Sequence, residues 1–370
     1  MDAVSRRTAM IGALGTAGLA VVGCTAQPSE PVVTNPPEPS TPSPTPTPTQ
    51  DLTPRWPLTG KVLKNAEDAA HIAVAVKVPD NKGEHPQKGI DKADIVYVQL
   101  EGYPAVLGQS GTRLVPIFHT TMAPDVGPVR SIRPVDMAML SPITAIIGNT
   151  GGAGWVMNYT KKFQDYLVTD KNYMATKGTG SYSIDPSRVR VLGGVTYYDR
   201  AVLCHPKMLA KQTKKFASGP PQHYFPWAAS PEEVSTEVAG KAARTISVPW
   251  KAGHTYDMTY SYDAKSNRYL RSMPWGKHVL ADGTRVSTDN VLVIRARQHY
   301  DHHEPFHDII DTKGSFYYFH GGKYVTGTWR KGAASEVFQF TLTDGSPLKM
   351  APGQSFIELP QANAKLLIKA

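Results

Sequence analysis

The 370-residue sequence has only two cysteines and no uninterrupted apolar run of the roughly 18–20 residues that a membrane-spanning helix requires. Two cysteines are too few for a disulfide-stapled scaffold or for a four-thiolate zinc site. Charged residues make up only 19% of the chain, whereas 41% of its residues are hydrophobic, which is enough for a packed core. The sequence therefore predicts a folded protein, and it excludes wholesale disorder and a polytopic membrane protein.

The N-terminal segment, from Met1 to Cys24, has the composition of a bacterial export signal. A basic pair, Arg6-Arg7, is followed by an uncharged stretch rich in Ala and Gly, and Val21-Val22-Gly23 leads into Cys24. Such residues before a cysteine resemble a lipobox, in which that cysteine is acylated and becomes the mature N-terminus. We therefore expect a lipid anchor at Cys24, on the extracytoplasmic face of the cell membrane. Because Ser5-Arg6-Arg7-Thr8 also resembles a twin-arginine signal, both Sec and twin-arginine export stay open.

Residues 25–60 are predicted to be a disordered spacer rich in Pro, Thr and Ser. Residues 28–57 contain 11 Pro and 9 Ser or Thr. Proline fixes φ and lacks an N–H, so this stretch should remain extended. At about 3.1 Å per residue it could span up to roughly 90 Å, which suits a tether through a cell wall.

The first predicted domain, residues 61–243, has the mixed pattern of an α/β or α+β fold. Apolar runs predict buried strands at 71–76, 95–100, 114–118 and 145–147. A helix should begin near Met137 and another should cover residues 207–217, with Pro206 at its first turn. Ser230-Pro231-Glu232-Glu233 has the form of a capping box and predicts a further helix start.

The second predicted domain, residues 244–370, is smaller and mainly antiparallel β. Alternating or β-branched and aromatic segments predict strands at 255–262, 291–297, 315–320 and 323–329. Turn signals at Asp282-Gly283, Gly321-Gly322 and Asp344-Gly345 separate these segments.

The segment Gly127-Pro128-Val129-Arg130-Ser131-Ile132-Arg133-Pro134 is the most informative motif. Pro134 can open a helix, whose unpaired first-turn N–H groups would lie beside two guanidiniums and favour an anion. Arginine keeps its charge and binds planar oxyanions with two parallel hydrogen bonds. The alternative is that these arginines pair with Glu101, Asp125 or Asp136 and only hold the fold together. The candidate anion-binding residues are Glu101, Arg113, His119, Arg130, Ser131 and Arg133.

Several segments resemble the YerB-type family of bacterial lipoproteins. They include Ala93-Asp94-Ile95-Val96-Tyr97, Thr112-Arg113 and the Gly127–Pro134 segment, followed by Asp289-Asn290-Val291-Leu292-Val293 and Pro352-Gly353-Gln354-Ser355-Phe356-Ile357-Glu358. The resemblance covers nearly all of residues 61–360. It implies an uncharacterised α/β domain followed by the family's own C-terminal domain, and it implies no reaction. The sequence departs from the family pattern after Glu101-Gly102, where Tyr103 begins an insertion through Gly111.

A second motif, His303-Glu304-x-x-His307, has the spacing of a zinc-peptidase site, which requires both histidines on one helix face. Pro305 disfavours that helix, so we expect a hairpin loop and no catalytic metal. His299, His303 and His307 remain weak candidates for adventitious or regulatory metal binding.

The charge of the body sets the function hypotheses. Of the 40 Lys+Arg and 31 Asp+Glu, three and four precede Lys61, which leaves 37 and 27 for the remainder of the chain. This surplus suits an anionic envelope polymer, although solubility alone also explains it. Nucleic acid is not an expected partner, and no cofactor is implied. We expect a lipid-anchored protein that binds an anionic envelope ligand through an Arg-rich cleft. A hydrolase or transferase using Glu101 or His119 as acid/base is the first alternative, and a scaffold lipoprotein with an exposed apolar patch on the β domain is the second.

Overall fold

The computed structural model describes residues 53–101 and 111–370, which belong to one compact unit. The predicted signal peptide, Cys24 and most of the predicted spacer lie outside these residues. Leu58 is fully buried, so the folded body already includes residues that we assigned to the end of the spacer. Within the described ranges, every helix is too short or too polar to span a bilayer.

Short strands and helices alternate in the first half of the described chain. The strands are β1 Val74–Val76, β2 Val78–Pro79, β3 Ile95–Leu100, β4 Thr112–Phe118, β5 Ile146–Gly148, β6 Tyr182–Ile184, β7 Arg190–Leu192, β8 Val195–Tyr197, β9 Val202–Cys204 and β10 Lys241–Ala242. The α-helices are α1 Val135–Leu140, α2 Gly154–Thr160, α3 Pro206–Ala210 and α4 Ser235–Ala239.

Strands dominate the second half, and most of them pair antiparallel. They are β11 Thr245–Pro249, β12 Asp257–Asp263, β13 Arg268–Met273, β14 Gly276–Lys277, β15 Ser287–Thr288, β16 Asn290–Ile294, β17 Gln298–Asp301, β18 Glu304–His307, β19 Thr312–His320, β20 Lys323–Lys331, β21 Gln339–Leu342, β22 Ser355–Glu358 and β23 Leu367–Lys369. Short 3₁₀ helices lie at Ala66–Ala69, Lys82–Glu84, Ile90–Lys92, Ser141–Ile143, Lys161–Phe163, Pro186–Arg188, Pro231–Glu233 and Ala252–His254.

Strands from both halves form one 11-stranded sheet in the described residues, with the order β10-β20-β19-β16-β22-β3-β4-β1-β5, while β2 pairs with β4 and β21 with β20. β22 pairs parallel with both β16 and β3, and this is where the two halves join. A six-stranded sheet has the order β14-β13-β12-β11-β23, with β15 beside β13. Three two-stranded ladders complete the described sheets: β6–β9, β7–β8 and β17–β18.

Both faces of the central strands β16, β22, β3 and β4 of the large sheet are buried, which explains why these strands are largely apolar without alternation. Along β3, Ile95 and Tyr97 contribute to one core, shared with Met137 of α1. Val96 and Val98 contribute to the other core, shared with Tyr260 of the six-stranded sheet. The large sheet is therefore covered by α1 on one face, and by the smaller sheet together with α3 on the other.

The predicted fold class is confirmed, because a mixed region with helices precedes a mainly antiparallel one. The domain boundaries at 61, 243 and 244 remain predictions. Two local predictions need correction. The helix predicted over 207–217 ends at Ala210, since Lys-Gln-Thr-Lys-Lys follows and offers no apolar side chain to bury. The predicted capping box begins only a 3₁₀ turn, without a cap bond from the Ser230 side chain, and Glu233 instead pairs with Lys349 at 2.7 Å.

Candidate functional site

The ends of β1, β3 and β4 bring together charged groups that are distant in sequence. Six of these side chains form what we call the inner cluster: Lys77, Glu101, Arg113, Arg133, Asp136 and Glu304. Three carry positive charge and three carry negative charge. The formal charges of the cluster therefore balance.

A fully buried ion pair lies at the base of the inner cluster. Lys77 follows β1, and its Nζ lies 2.5 Å from Asp136 Oδ1, with both side chains 0% exposed. Asp136 also accepts hydrogen bonds from Gln99 Nε2 at 3.0 Å and from the Arg133 backbone N–H at 2.7 Å. Burial lowers the pKa of Lys77 to about 7, against the opposing pull of Asp136. This amine is therefore able to exchange a proton near neutral pH.

The predicted arginines of the inner cluster end on acidic groups. Arg113 donates from Nη1 to the Ser131 carbonyl at 3.0 Å and from Nη2 to Glu101 Oε1 at 3.3 Å. Arg133 Nε donates to the Glu101 carbonyl at 3.0 Å and lies 2.8 Å from Glu304 Oε2. Glu101 is thus a partner, as the structural alternative predicted, whereas Asp125 pairs elsewhere, with His205 at 2.8 Å.

Glu304 reaches the arginines because the histidine-rich segment forms a hairpin, as predicted from Pro305. β17 and β18 pair antiparallel, and His302 and His303 form the turn with positive φ. Phe306 of this hairpin stacks on Trp155 of α2, with ring centroids 6.2 Å apart. The arginine motif and the histidine motif, which looked unrelated in sequence, therefore meet in space.

Some buried polar atoms around Lys77 have no hydrogen-bonding partner among the described residues. They are Gln99 Oε1, Arg113 Nε and both ring nitrogens of His307. Buried polar groups are normally hydrogen-bonded, so each of these atoms is available to a small polar molecule that enters the cluster.

His307 should make the protein acid-sensitive. Burial, with smaller contributions from His299 and Lys77, lowers the pKa of His307 to about 3. In the unfolded chain the imidazole of His307 binds a proton near pH 6.5. The contribution of the neutral, buried ring to the free energy of unfolding is therefore complete above that pH and decreases as the pH falls. Between pH 7.5 and 4.5 we expect wild type to lose about 2–3 kcal/mol more than His307→Leu, measured by urea unfolding. His223→Leu, which removes an exposed histidine, should follow wild type; equal losses in all three proteins would contradict the prediction.

Arg130 lies apart from the inner cluster, in a second group of charges. This second group, which we call the outer cluster, consists of the side chains of Arg130, Arg188, Arg190, Arg200, Glu84 and Asp199. Arg130 Nη2 contacts Glu84 Oε1 and lies 3.5 Å from Asp199 Oδ2. Arg190 Nη2 donates to both Asp199 oxygens at 2.8 Å. Arg130 and Arg190 thus share the Asp199 carboxylate, and Arg130 also contacts Glu84.

The other two arginines of the outer cluster bind backbone carbonyls. Arg188 donates to the carbonyls of Arg200, Pro86 and Glu84, and Arg200 donates to that of Gly83 at 2.8 Å. Within residues 53–101 and 111–370, the Nε–H groups of Arg130, Arg190 and Arg200 have no hydrogen-bonding partner. Arg188 and Arg190 are not among the residues predicted from the sequence, although the Arg-Val-Arg-Val-Leu-Gly-Gly-Val pattern around them is a hairpin signal.

His119 is not brought to either cluster. It follows β4 at the opposite end from Arg113, and it is buried beside Trp56 and His71, with ring centroids 5.3 and 4.4 Å away. Its Nε2 lies 3.0 Å from the Ala69 carbonyl. The expectation that His119 joins the arginines is therefore wrong, because β4 is long enough to separate them.

One histidine group within the described ranges has the closeness of metal ligands, namely Asp80, His85 and His278, whose candidate atoms lie within 4.8 Å of one another. Candidate ligand atoms of His278 and Asp80 already bond to another side chain, that of Arg271. Arg271 Nη1 lies 2.8 Å from His278 Nδ1, and Arg271 Nη2 lies 2.7 Å from Asp80 Oδ2. A cation there would face a buried guanidinium, so the donor set does not suit a metal. His299, His303 and His307 form no such group in the described residues.

Known proteins match both halves of this chain. The N-terminal domain of "Protein of unknown function (DUF3048)" matches residues 58–197, and its C-terminal domain matches residues 246–357. A protein of Bacillus subtilis (strain 168), named "Putative lipoprotein YerB", is 26% identical over 323 residues, which are 85% of this chain and 88% of that protein. The crystal structure of YerB protein from Bacillus subtilis is similar with a TM-score of 0.66 at 20% identity, covering 85% of this chain and 99% of that one. These matches confirm the resemblance and the fold, and their descriptions name no ligand or reaction.

Proposed function

This chain belongs to the DUF3048 family of unknown function, and on that premise we propose that it is a lipid-anchored envelope protein that binds a phosphate-bearing anionic ligand at the outer cluster. The relative's name as a lipoprotein supports membrane anchoring. The lipobox pattern supports Cys24 as the anchored residue and the extracytoplasmic face as the location. The ligand would be a lipid headgroup or an envelope polymer.

The observation that carries the ligand proposal is the excess of guanidiniums over carboxylates in the outer cluster. Four arginines against Glu84 and Asp199 leave a net charge of plus two. Asp199 is 35% exposed and Arg190 is 33% exposed, so an anion from solvent can reach them. The long 3.5 Å contact between Arg130 and Asp199 can be exchanged for a phosphate oxygen.

The inner arginines support this site in our proposal and do not contact the ligand. Arg113 donates to the Ser131 carbonyl, and Arg133 is buried beneath Glu304, so both hold the chain that carries Arg130. For the alternative of catalysis, Glu101 beside Arg113 remains the candidate acid/base, because His119 lies at the other end of β4.

The test is binding of short-chain inorganic polyphosphate by titration calorimetry. We expect Arg190→Gln to weaken binding at least about tenfold, because it removes a charge-assisted contact. The melting temperature should change by less than about 4 °C, because Arg190 lies at the surface. The salt dependence of binding should also become shallower.

Arg330→Gln is the matched control. Arg330 is exposed on β20, near the opposite edge of the large sheet, and its replacement changes the net charge equally. If wild type fails to bind, or if both variants lose affinity equally, the outer cluster is not the binding site.

A further inference from the structure

A two-stranded hairpin protrudes from the outer cluster. β7 and β8 pair antiparallel through Arg190↔Tyr197 and Leu192↔Val195. Gly193 and Gly194 form its turn with φ of 58° and 79°, which the hairpin turn with two positive φ angles requires. All residues from 191 to 198 are exposed. Neither face of the hairpin is therefore covered by the rest of the described protein.

The end of this hairpin is apolar. Val191, Leu192 and Val195 are 64%, 55% and 54% exposed, and Tyr197 and Tyr198 follow at 40% and 50%. Single exposed apolar residues are ordinary, but a group this dense along one short hairpin forms a patch that marks an interaction site. The scaffold alternative predicted an exposed apolar patch on the second, mainly β domain. The patch on this hairpin lies in the first half of the chain, so it is not the one that this alternative predicted.

We propose that this hairpin tip inserts into the interface of an anionic phospholipid bilayer, the membrane to which the chain is anchored. The inference rests on the proposed function, since it takes the lipid headgroup as the ligand of the outer cluster. A bilayer is favoured by charge complementarity, because an apolar tip on a cationic base matches acyl chains beneath anionic phosphates.

The dimensions of the hairpin agree with this occupant. Strands rise about 3.4 Å per residue, so the turn at Gly193 lies roughly 10 Å beyond Arg190. Interfacial segments bury their apolar face about 5–10 Å into the boundary between headgroups and acyl chains. With the turn at that depth, Arg190 lies level with the phosphates, and Tyr197, opposite it, lies where tyrosine is enriched in membrane proteins.

The test uses the mature chain, from Cys24 to Ala370, with Cys24→Ser so that the lipid does not dominate binding. Co-sedimentation with vesicles of one part phosphatidylglycerol to two parts phosphatidylcholine is compared with pure phosphatidylcholine. We expect wild type to prefer the anionic vesicles and Leu192→Ser/Val195→Ser to bind them at least about tenfold more weakly. Val62→Ser/Val238→Ser, which alters two exposed valines elsewhere, is the matched control and should bind as wild type.

Depth is measured with an environment-sensitive fluorophore on Leu192→Cys. Cys204 is fully buried, so it should not react in the folded protein. The fluorophore should shift to the blue on anionic vesicles and be quenched by lipids brominated on their acyl chains. An unshifted emission would overturn the insertion.

The outcomes separate this inference from the proposed function. If the serine variant still binds soluble polyphosphate but loses vesicles, both proposals are supported. If it keeps full vesicle binding, or if wild type ignores vesicles while binding polyphosphate, the membrane inference is wrong and the anion site stands. Concentration-dependent dimerisation that the serine variant abolishes, without vesicle binding, would assign the tip to self-association and overturn the inference.

Discussion

Replacing Asp136 with alanine is expected to lower the free energy of unfolding by about 3–5 kcal/mol, measured by urea denaturation at pH 7. The change removes the carboxylate partner of the fully buried Lys77 amine, and it removes the acceptor of Gln99 and of the Arg133 backbone N–H. Lys77→Met should cost less, because Asp136 would keep those two donors. Equal costs would mean that Asp136 acts through the ion pair alone.

The pH dependence of the Asp136→Ala variant provides a second check. Burial already lowers the pKa of Lys77, and Asp136 opposes that effect. Without Asp136 the pKa of Lys77 falls further, so more stability is lost as the pH decreases. The destabilisation should therefore be larger at pH 6 than at pH 8. Glu237→Ala, which breaks the exposed pair with Lys323 at 2.6 Å, is the control and should cost less than about 1 kcal/mol at either pH.

Local patterns were sufficient to predict the strands of the large sheet. β3 coincides with the predicted 95–100, and β19 and β20 extend the predicted 315–320 and 323–329 by a few residues. β3 is apolar because both of its faces are covered, whereas β19 and β20 mix buried and partly exposed positions. Both patterns are visible in the sequence without any knowledge of partners. The position of β22 between β16 and β3 was not predictable in the same way, because it depends on contacts that span most of the chain.

The candidate site could also be predicted only where its residues are close together in the sequence. The sequence indicated that Arg113, Arg130 and Arg133 matter as a group, and it left open whether they bind a ligand or carboxylates. It held no signal that Glu304, far away in the second half of the chain, pairs with Arg133. It also treated the arginines as one site, whereas the structure separates Arg130 from the other two. Arg130 and Arg133 are only three residues apart, yet the neighbours that pack against each side chain decide its partners.

The β7–β8 hairpin, by contrast, could have been predicted. Gly193-Gly194 between Val191-Leu192 and Val195 is a strong short-range hairpin signal. A count of apolar residues around it would have assigned these side chains to the core. Their exposure depends on the absence of an opposing layer among the described residues, which no local pattern records.

Replacing Arg271 with methionine should have an effect as large as that of Asp136→Ala, about 3–5 kcal/mol at pH 7. Arg271 lies on β13 of the smaller sheet and is 0% exposed. Its Nη2 lies 2.7 Å from Asp80 after β2, and its Nε lies 3.9 Å from Glu358 on β22. One guanidinium therefore connects the smaller sheet to two places on the larger one. Methionine fills a similar volume, so the expected loss reports on charge more than on packing.

The pH dependence of Arg271→Met should distinguish charge from packing. Burial raises the pKa of Asp80, but Arg271 and His85 together outweigh burial and hold that pKa well below its ordinary value. Burial raises the pKa of Glu358 to about 7 even with Arg271 present. Without Arg271 both folded-state pKa values rise, so the variant loses stability as the pH increases from about 4 to 7, by up to about 1.4 kcal/mol per pH unit for each carboxylate.

Urea unfolding at pH 5 and pH 8 measures this difference. The loss caused by Arg271→Met should be clearly larger at pH 8, where both carboxylates must ionise in the core. Arg244→Met, at an exposed arginine preceding β11, should change stability by less than about 0.5 kcal/mol at both values. If the Arg271→Met loss were the same at pH 5 and pH 8, Asp80 and Glu358 would have other compensation, and the guanidinium would hold the two sheets together through shape alone.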